Sequence, residues 1–273
     1  MITRLSLLFA ILMMALSAQP AQAQSDANPF GDMVQIRILP GWRAADHSHM
    51  AGIEIRLAPG WKTYWRAPGD AGIPPLFDWA GSTNLSGVEV SWPTPEVFRQ
   101  SGMRTLGYEN RVVLPITVAP RRNTKPVRLT GTVNLGICRD VCVPVQVEIG
   151  ETLNTGPASR DPTIAAALAD QPFSAAEAGL TALACNVAPA KDGLSLTAEF
   201  TLPSTGGREM AVVEINDPMI WASEPRISRK GGRLRAEFDL MHASGGSFAL
   251  DRSALRFTII GRNHAVDIRG CNG

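Results

Sequence analysis

Apolar and polar residues alternate in short runs along most of the chain. Val34, Ile36 and Ile38 alternate with Gln35 and Arg37, and Ile53, Ile55 and Leu57 with Glu54 and Arg56. A period of two marks a strand with one face buried. Val112 to Val118 predicts another strand, and Pro115 within it predicts an edge or a bulge, because proline donates no ladder hydrogen bond. From Val127 to Ile137 the odd positions are apolar, and after Val141 they are apolar again through Val143, Val145, Val147 and Ile149. Later runs alternate in the same way, from Leu194 to Phe200, Arg233 to Leu240 and Leu255 to Ile260, with Asp192-Gly193 as a turn signal before the first.

Helical periodicity is confined to one place. Asp161-Pro162 before an alanine-rich run predicts a short helix, with Asp161 as N-cap and Pro162 in the first turn. The pattern therefore predicts an all-β chain of two antiparallel β-sandwich domains joined by a short, partly helical linker. The expected bounds are residues 26–152 for the first domain, 153–178 for the linker and 179–273 for the second.

Composition adds turns and a compartment. The 20 prolines and 25 glycines suit many tight connections, and a net charge of +1 gives no basic face for nucleic acid. Arg4 followed by the apolar stretch Leu5 to Leu16 and the small-residue site Ala21-Gln22-Ala23 reads as a signal peptide over residues 1–23. An uncleaved anchor is the alternative. Export places the protein in an oxidising compartment, the periplasm, where cysteines pair.

Candidate chemistry rests on four cysteines. Residues four apart on a straight strand lie roughly 13 Å apart, whereas a disulfide needs Cα atoms within about 7 Å. Cys138 and Cys142 therefore pair only if the chain turns at Arg139-Asp140-Val141, which makes them opposite partners at a hairpin tip. Parity puts both on the face away from the core, where both thiols are expected to be reachable. Arg139 is placed to stabilise a thiolate, and Asp140 to exchange a proton. Cys185 and Cys271 bracket the second domain and read as a structural bridge, with a second redox centre as the alternative. His47 and His49 form a His-x-His that suits copper or zinc, though a solvated loop is its commoner meaning. Trp61, Trp65, Trp79 and Trp92 read by default as core packing, with a partner-docking face as the alternative for one or two of them. No metal or cofactor is assigned.

The blocks Gly60-Trp61-Lys62-Thr63-Tyr64-Trp65-Arg66-Ala67-Pro68-Gly69-Asp70-Ala71-Gly72-Ile73-Pro74-Pro75, Trp92-Pro93-Thr94-Pro95-Glu96 and Gly107-Tyr108-Glu109-Asn110 leading to Val113-Leu114-Pro115-Ile116, followed by the cysteine run, resemble the N-terminal periplasmic domain of DsbD and ScsB, the thiol:disulfide interchange reductases. The resemblance covers about residues 30–150. It implies an immunoglobulin-like sandwich of protein thiol:disulfide oxidoreductase type, in which Cys138 and Cys142 are the active pair and Cys142 attacks first. It implies an aromatic Tyr64 near the site and a cap within Glu96 to Tyr108, with Phe98 as its shield and Tyr108 as a further supporting residue. It implies partners of the thioredoxin-like or disulfide isomerase kind. The chain departs from the better-known members in a tighter cysteine loop. It also lacks an eight-helix membrane segment and a C-terminal thioredoxin domain, so a separate membrane electron donor of the CcdA or DsbD type is expected. Two other readings remain: an envelope binding or chaperone module stapled by structural disulfides, and a copper-handling protein using Cys138, Cys142 and the histidines.

Overall fold

The computed structural model describes residues 28, 30–100 and 102–271, so the signal-peptide reading of residues 1–23 lies outside the described residues. Ten strands make the first sandwich. They are β1 (Val34–Arg43), β2 (His49–Leu57), β3 (Lys62–Gly69), β4 (Leu76–Asp78), β5 (Leu85–Val90), β6 (Glu96–Gln100), β7 (Met103–Glu109), β8 (Arg111–Pro120), β9 (Val127–Cys138) and β10 (Cys142–Leu153). One sheet has the order β1-β2-β8-β5, and the other β10-β9-β3-β7-β6 with β4 also paired to β9. The predicted alternation holds: Ile53, Ile55, Leu114, Ile116, Leu129, Leu135 and Ile137 face inward and are buried between the sheets, with Trp65 among them.

Two local readings need correction or refinement. Pro115 does not mark an edge, because β8 lies between β2 and β5. The proline is tolerated because pairing with β5 stops at Ile116, and the Pro115 carbonyl instead accepts a 2.8 Å bond from the Ser91 N–H. Of the four tryptophans, Trp61 and Trp65 are buried in the core, while Trp79 and Trp92 are partly buried around Phe77, with Phe77 and Trp79 stacked at 6.1 Å.

The connecting helix, α1 (Pro162–Ala169), begins as its sequence predicts. The Asp161 carboxylate accepts from the backbone N–H groups of Thr163 at 2.7 Å and Ile164 at 3.2 Å. Its one buried residue, Ile164, packs with Leu39, Trp42 and Val113 on the outside of the four-stranded sheet. Gly52 permits that approach, since a Cβ there would lie 3.0 Å from side-chain carbons of both Ile164 and Val113.

The second sandwich holds β11 (Phe173–Ser174), β12 (Ala182–Ala190), β13 (Gly193–Thr201), β14 (Met210–Glu214), β15 (Ile220–Ala222), β16 (Arg226–Lys230), β17 (Arg233–His242), β18 (Arg256–Ile260) and β19 (Ala265–Arg269). Its sheets run β11-β19-β18-β14 and β12-β13-β17-β15, with β16 also on β17. Phe200, Phe238 and Phe257 fill its own core. Val212, Ile260 and Ala265 instead join the apolar cluster of the first sandwich, so the two units share an apolar contact. No helix among the described residues is long and apolar enough to cross a membrane.

Candidate functional site

The site sits at the tip of the longest hairpin. Strands β9 and β10 pair over their full length, from Leu153 opposite Val127 to Cys142 opposite Cys138. Three residues, Arg139 to Val141, close the turn. Cys138 and Cys142 are joined in a disulfide with Cα atoms 4.2 Å apart, as cross-strand neighbours require.

Face and exposure part company here. Trp61 and Trp65 point into the core, so Lys62 and Tyr64 of β3 point out. Lys62 lies opposite Cys138 in the ladder, which puts Cys138 on that outer face, as parity predicts. Cys138 is nevertheless only 2 % exposed, which corrects the expectation that both sulfurs are reachable. The cause is a cover over the outer face. Tyr64 directs its hydroxyl to Cys138 Sγ at 2.6 Å and to Cys142 Sγ at 3.2 Å. A disulfide sulfur carries no proton, so the hydroxyl is the donor. Burial pushes the Tyr64 phenol above its ordinary pKa, which keeps that proton in place. Cys142 differs because β10 is the edge strand of its sheet, with no further strand beside it among the described residues, and it is exposed.

The cover is built on glycines. Gly136 precedes Cys138 by two residues on the same face, and a Cβ there would lie 3.2 Å from the Tyr64 ring and 2.8 Å from Ile73 Cβ. On the other side of the ring, a Cβ on Gly72 would come within 2.6 Å of it. The loop carrying Gly72 and Ile73 is tied down at both ends. The Gly136 N–H bonds the Ile73 carbonyl at 3.2 Å, and the Asp70 carboxylate takes the Arg104 backbone N–H at 2.8 Å. The sequence assigns no individual role to Gly72 and Ile73, which lie within the first resemblance block, to Arg104, which lies within the expected cap, or to Gly136. For Gly136 the signal is glycine in mid-strand, which marks close approach by another group.

The remaining sequence candidates fall at varied distances from the sulfurs. Arg139 pairs with Asp140 at 3.0 Å on the exposed turn, and its guanidinium lies 5.3 Å from the Trp61 ring. Phe98 lies in the β6–β7 hairpin, and its ring meets Lys62 Nζ at 4.9 Å, so it reaches the site through the lysine opposite Cys138. Tyr108 is not part of the cover. It faces the core, its hydroxyl donates to the Pro93 carbonyl at 2.8 Å, and burial pushes its phenol well up. Cys185 and Cys271 form a second disulfide with Cα atoms 6.0 Å apart, linking β12 to the segment after β19. His49 is buried, with Nε2 2.5 Å from the Pro40 carbonyl oxygen, and burial lowers its pKa.

Exposed apolar residues flank the tip. Val141 in the turn is 68 % exposed and Leu76, opposite Asn134 of β9, is 63 % exposed.

Residues 35–154 match the family model described as the N-terminal part of the thiol:disulfide interchange protein DsbD. The first sandwich is a DsbD N-terminal domain. Members of this family are immunoglobulin-like β-sandwiches, and the family is one of thiol:disulfide interchange. Among solved structures, the N-terminal periplasmic domain of ScsB from Proteus mirabilis aligns over 88 % of this chain and 92 % of its own, at 22 % identity and a TM-score of 0.66. That likeness extends the shared fold to the second sandwich. The DsbD N-terminal domain of Neisseria meningitidis in its reduced form aligns over 49 % of this chain and 94 % of its own, at 19 % identity and a TM-score of 0.28. No curated protein matches the chain.

Proposed function

We propose that the protein is a periplasmic thiol–disulfide exchange protein. It relays electrons from a separate membrane reductase of the CcdA or DsbD type to thioredoxin-like or disulfide isomerase partners. In the dithiol state the Cys142 thiolate attacks one sulfur of a partner disulfide. A mixed disulfide forms, and the partner's other sulfur leaves as a thiolate that takes up a proton. The Cys138 thiolate then attacks Cys142 Sγ, which restores the internal disulfide and releases the second partner thiol. Two electrons pass to the partner, and the membrane donor returns them to the pair by the same exchange run the other way.

The observation that carries this reading is the asymmetry of the pair: Cys142 is open on an edge strand while Cys138 waits beneath Tyr64. That is the division of labour between an attacking and a resolving sulfur. Val141 and Leu76 offer a partner an apolar rim beside the exposed sulfur. A periplasmic setting agrees with the ScsB domain, described as periplasmic, and with the pairing of all four cysteines. The competing reading is a purely structural staple, which the burial of Cys138 favours. A redox titration separates the two. A potential nearer those of exchange proteins supports the relay, and one below about −300 mV supports the staple. A Cys138→Ala protein is expected to trap a periplasmic partner as a mixed disulfide through Cys142. Failure of both single-cysteine variants to trap any partner counts against the relay.

A further inference from the structure

The second sandwich grips the strand that carries the cover. Arg66 follows Tyr64 by two residues on β3, roughly 7 Å along the strand. Its guanidinium takes both oxygens of Glu214 on β14, with Nε and Nη2 each at 2.9 Å from one oxygen, and Nη2 also donates to Thr258 on β18 at 3.3 Å. The arginine side chain is only 11 % exposed, so water competes weakly for it. A second ion pair, Arg99 with Glu224, holds the β6–β7 hairpin from the same side. That hairpin supplies Gly107, the ladder partner of Tyr64. Val212 and Ile260 fill in the apolar contact beneath.

We propose that the second sandwich is a positioning device for the disulfide cover, acting through the Arg66–Glu214 pair to hold Tyr64 over Cys138 and Cys142. Its physiological meaning rests on the exchange reading above, whereas its physical content does not. Releasing the pair frees β3 beyond Tyr64, lets the ring leave the sulfurs and opens the disulfide to attack.

The test measures how fast a water-soluble phosphine reduces each disulfide of the full chain. The phosphine becomes its oxide with oxygen from water, and each disulfide yields two thiols. Alkylation and mass spectrometry then score the two disulfides separately. Glu214→Gln is expected to speed reduction of Cys138–Cys142 by about fivefold or more, the lower end of ordinary coupling between sites, and to leave Cys185–Cys271 unchanged. In a Tyr64→Ala background, already fast, Glu214→Gln is expected to add nothing. Arg66→Lys, which keeps the charge and loses the two-pronged grip, gives the same reading if Glu214→Gln fails to fold. An unchanged rate in both grip variants beside a faster Tyr64→Ala overturns the proposal. So does an acceleration that persists without Tyr64, because the sandwich then acts by general loosening. No partner protein enters this assay, so a failed relay leaves its result intact.

Discussion

Replacing Tyr64 by phenylalanine deletes one oxygen and leaves the ring that covers the sulfurs. The hydroxyl lies 2.6 Å from Cys138 Sγ and 3.2 Å from Cys142 Sγ, so once the disulfide opens it is placed to donate to a thiolate, and to Cys138 first. A hydrogen bond to a charged group is worth about 1.5–3 kcal/mol, and about 1.4 kcal/mol moves a pKa by one unit. Losing it is therefore expected to raise the Cys138 thiol by about 1–2 units relative to the protein with Tyr64. The two thiols titrate as a coupled pair, so the measurement belongs in single-cysteine proteins. In Cys142→Ala protein the ultraviolet absorbance of the Cys138 thiolate is followed against pH, with and without Tyr64→Phe. In Cys138→Ala protein the same change at Cys142 is expected to be smaller, because its contact is longer. An unchanged Cys138 titration refutes the hydrogen-bonding role. An equal shift at both cysteines refutes the assignment of the bond to Cys138.

Three further outcomes follow from the same structure. Gly136→Ala pushes a methyl against Ile73 and Tyr64, so phosphine reduction of Cys138–Cys142 is expected to be faster than in the unaltered protein, and an equal rate contradicts the account of the cover. Removing Cys185–Cys271 opens a loop with a sequence separation of 86 and is expected to lower unfolding free energy by about 4–5 kcal/mol in urea melts, against about 2 kcal/mol for Cys138–Cys142, so equal losses contradict the loop-entropy reasoning. Burial pushes the Glu54 carboxyl up, but hydrogen bonds from Arg56, Arg37 and Arg111 outweigh it and hold it lowered to about 2 from 4.5. A depressed folded pKa means that its contribution is whole above pH 4.5 and is lost as pH falls toward 2. Glu54→Gln is thus expected to lower the melting temperature at neutral pH and to weaken the decline across that acid window.

Alternation carried most of the first sandwich into view from the sequence. The odd apolar positions of Val127 to Ile137 and Val141 to Ile149 define β9 and β10, the turn that disulfide distance requires placed Cys138 opposite Cys142, and parity put both on the outer face. What parity does not carry is what covers a face. Cys138 is buried by Tyr64 and the loop around Ile73, which lie more than sixty residues earlier in the chain and reach it only through the pairing of β3 with β9. Tyr64 was legible by family resemblance alone, and the same resemblance put Tyr108 at the cap. Yet Leu106 and Tyr108 are two apart on β7 and share the core face. The Arg66–Glu214 pair was not legible, since nothing local links residues that far apart in the sequence.

A disulfide that opens and closes in use has to be dispensable to the scaffold that presents it. The Cys138–Cys142 ring closes a short loop, so it removes little freedom from the unfolded chain. Its hairpin is held instead by twelve-residue strands in register, by the inward side chains of β9, and by β3 and β4 pairing on its far side. Reduction therefore leaves the backbone its ladder, and the two sulfurs stay near one another in the dithiol state, as the proposed exchange requires. The Cys185–Cys271 bond has the opposite character. It ties β12, at the edge of one sheet, to the chain just beyond β19, and Cys271 is packed in the core of the second sandwich. Opening it releases a long loop and exposes a buried sulfur, so selection between the two bonds is set by loop length and by what lies over each sulfur rather than by any difference in sulfur chemistry.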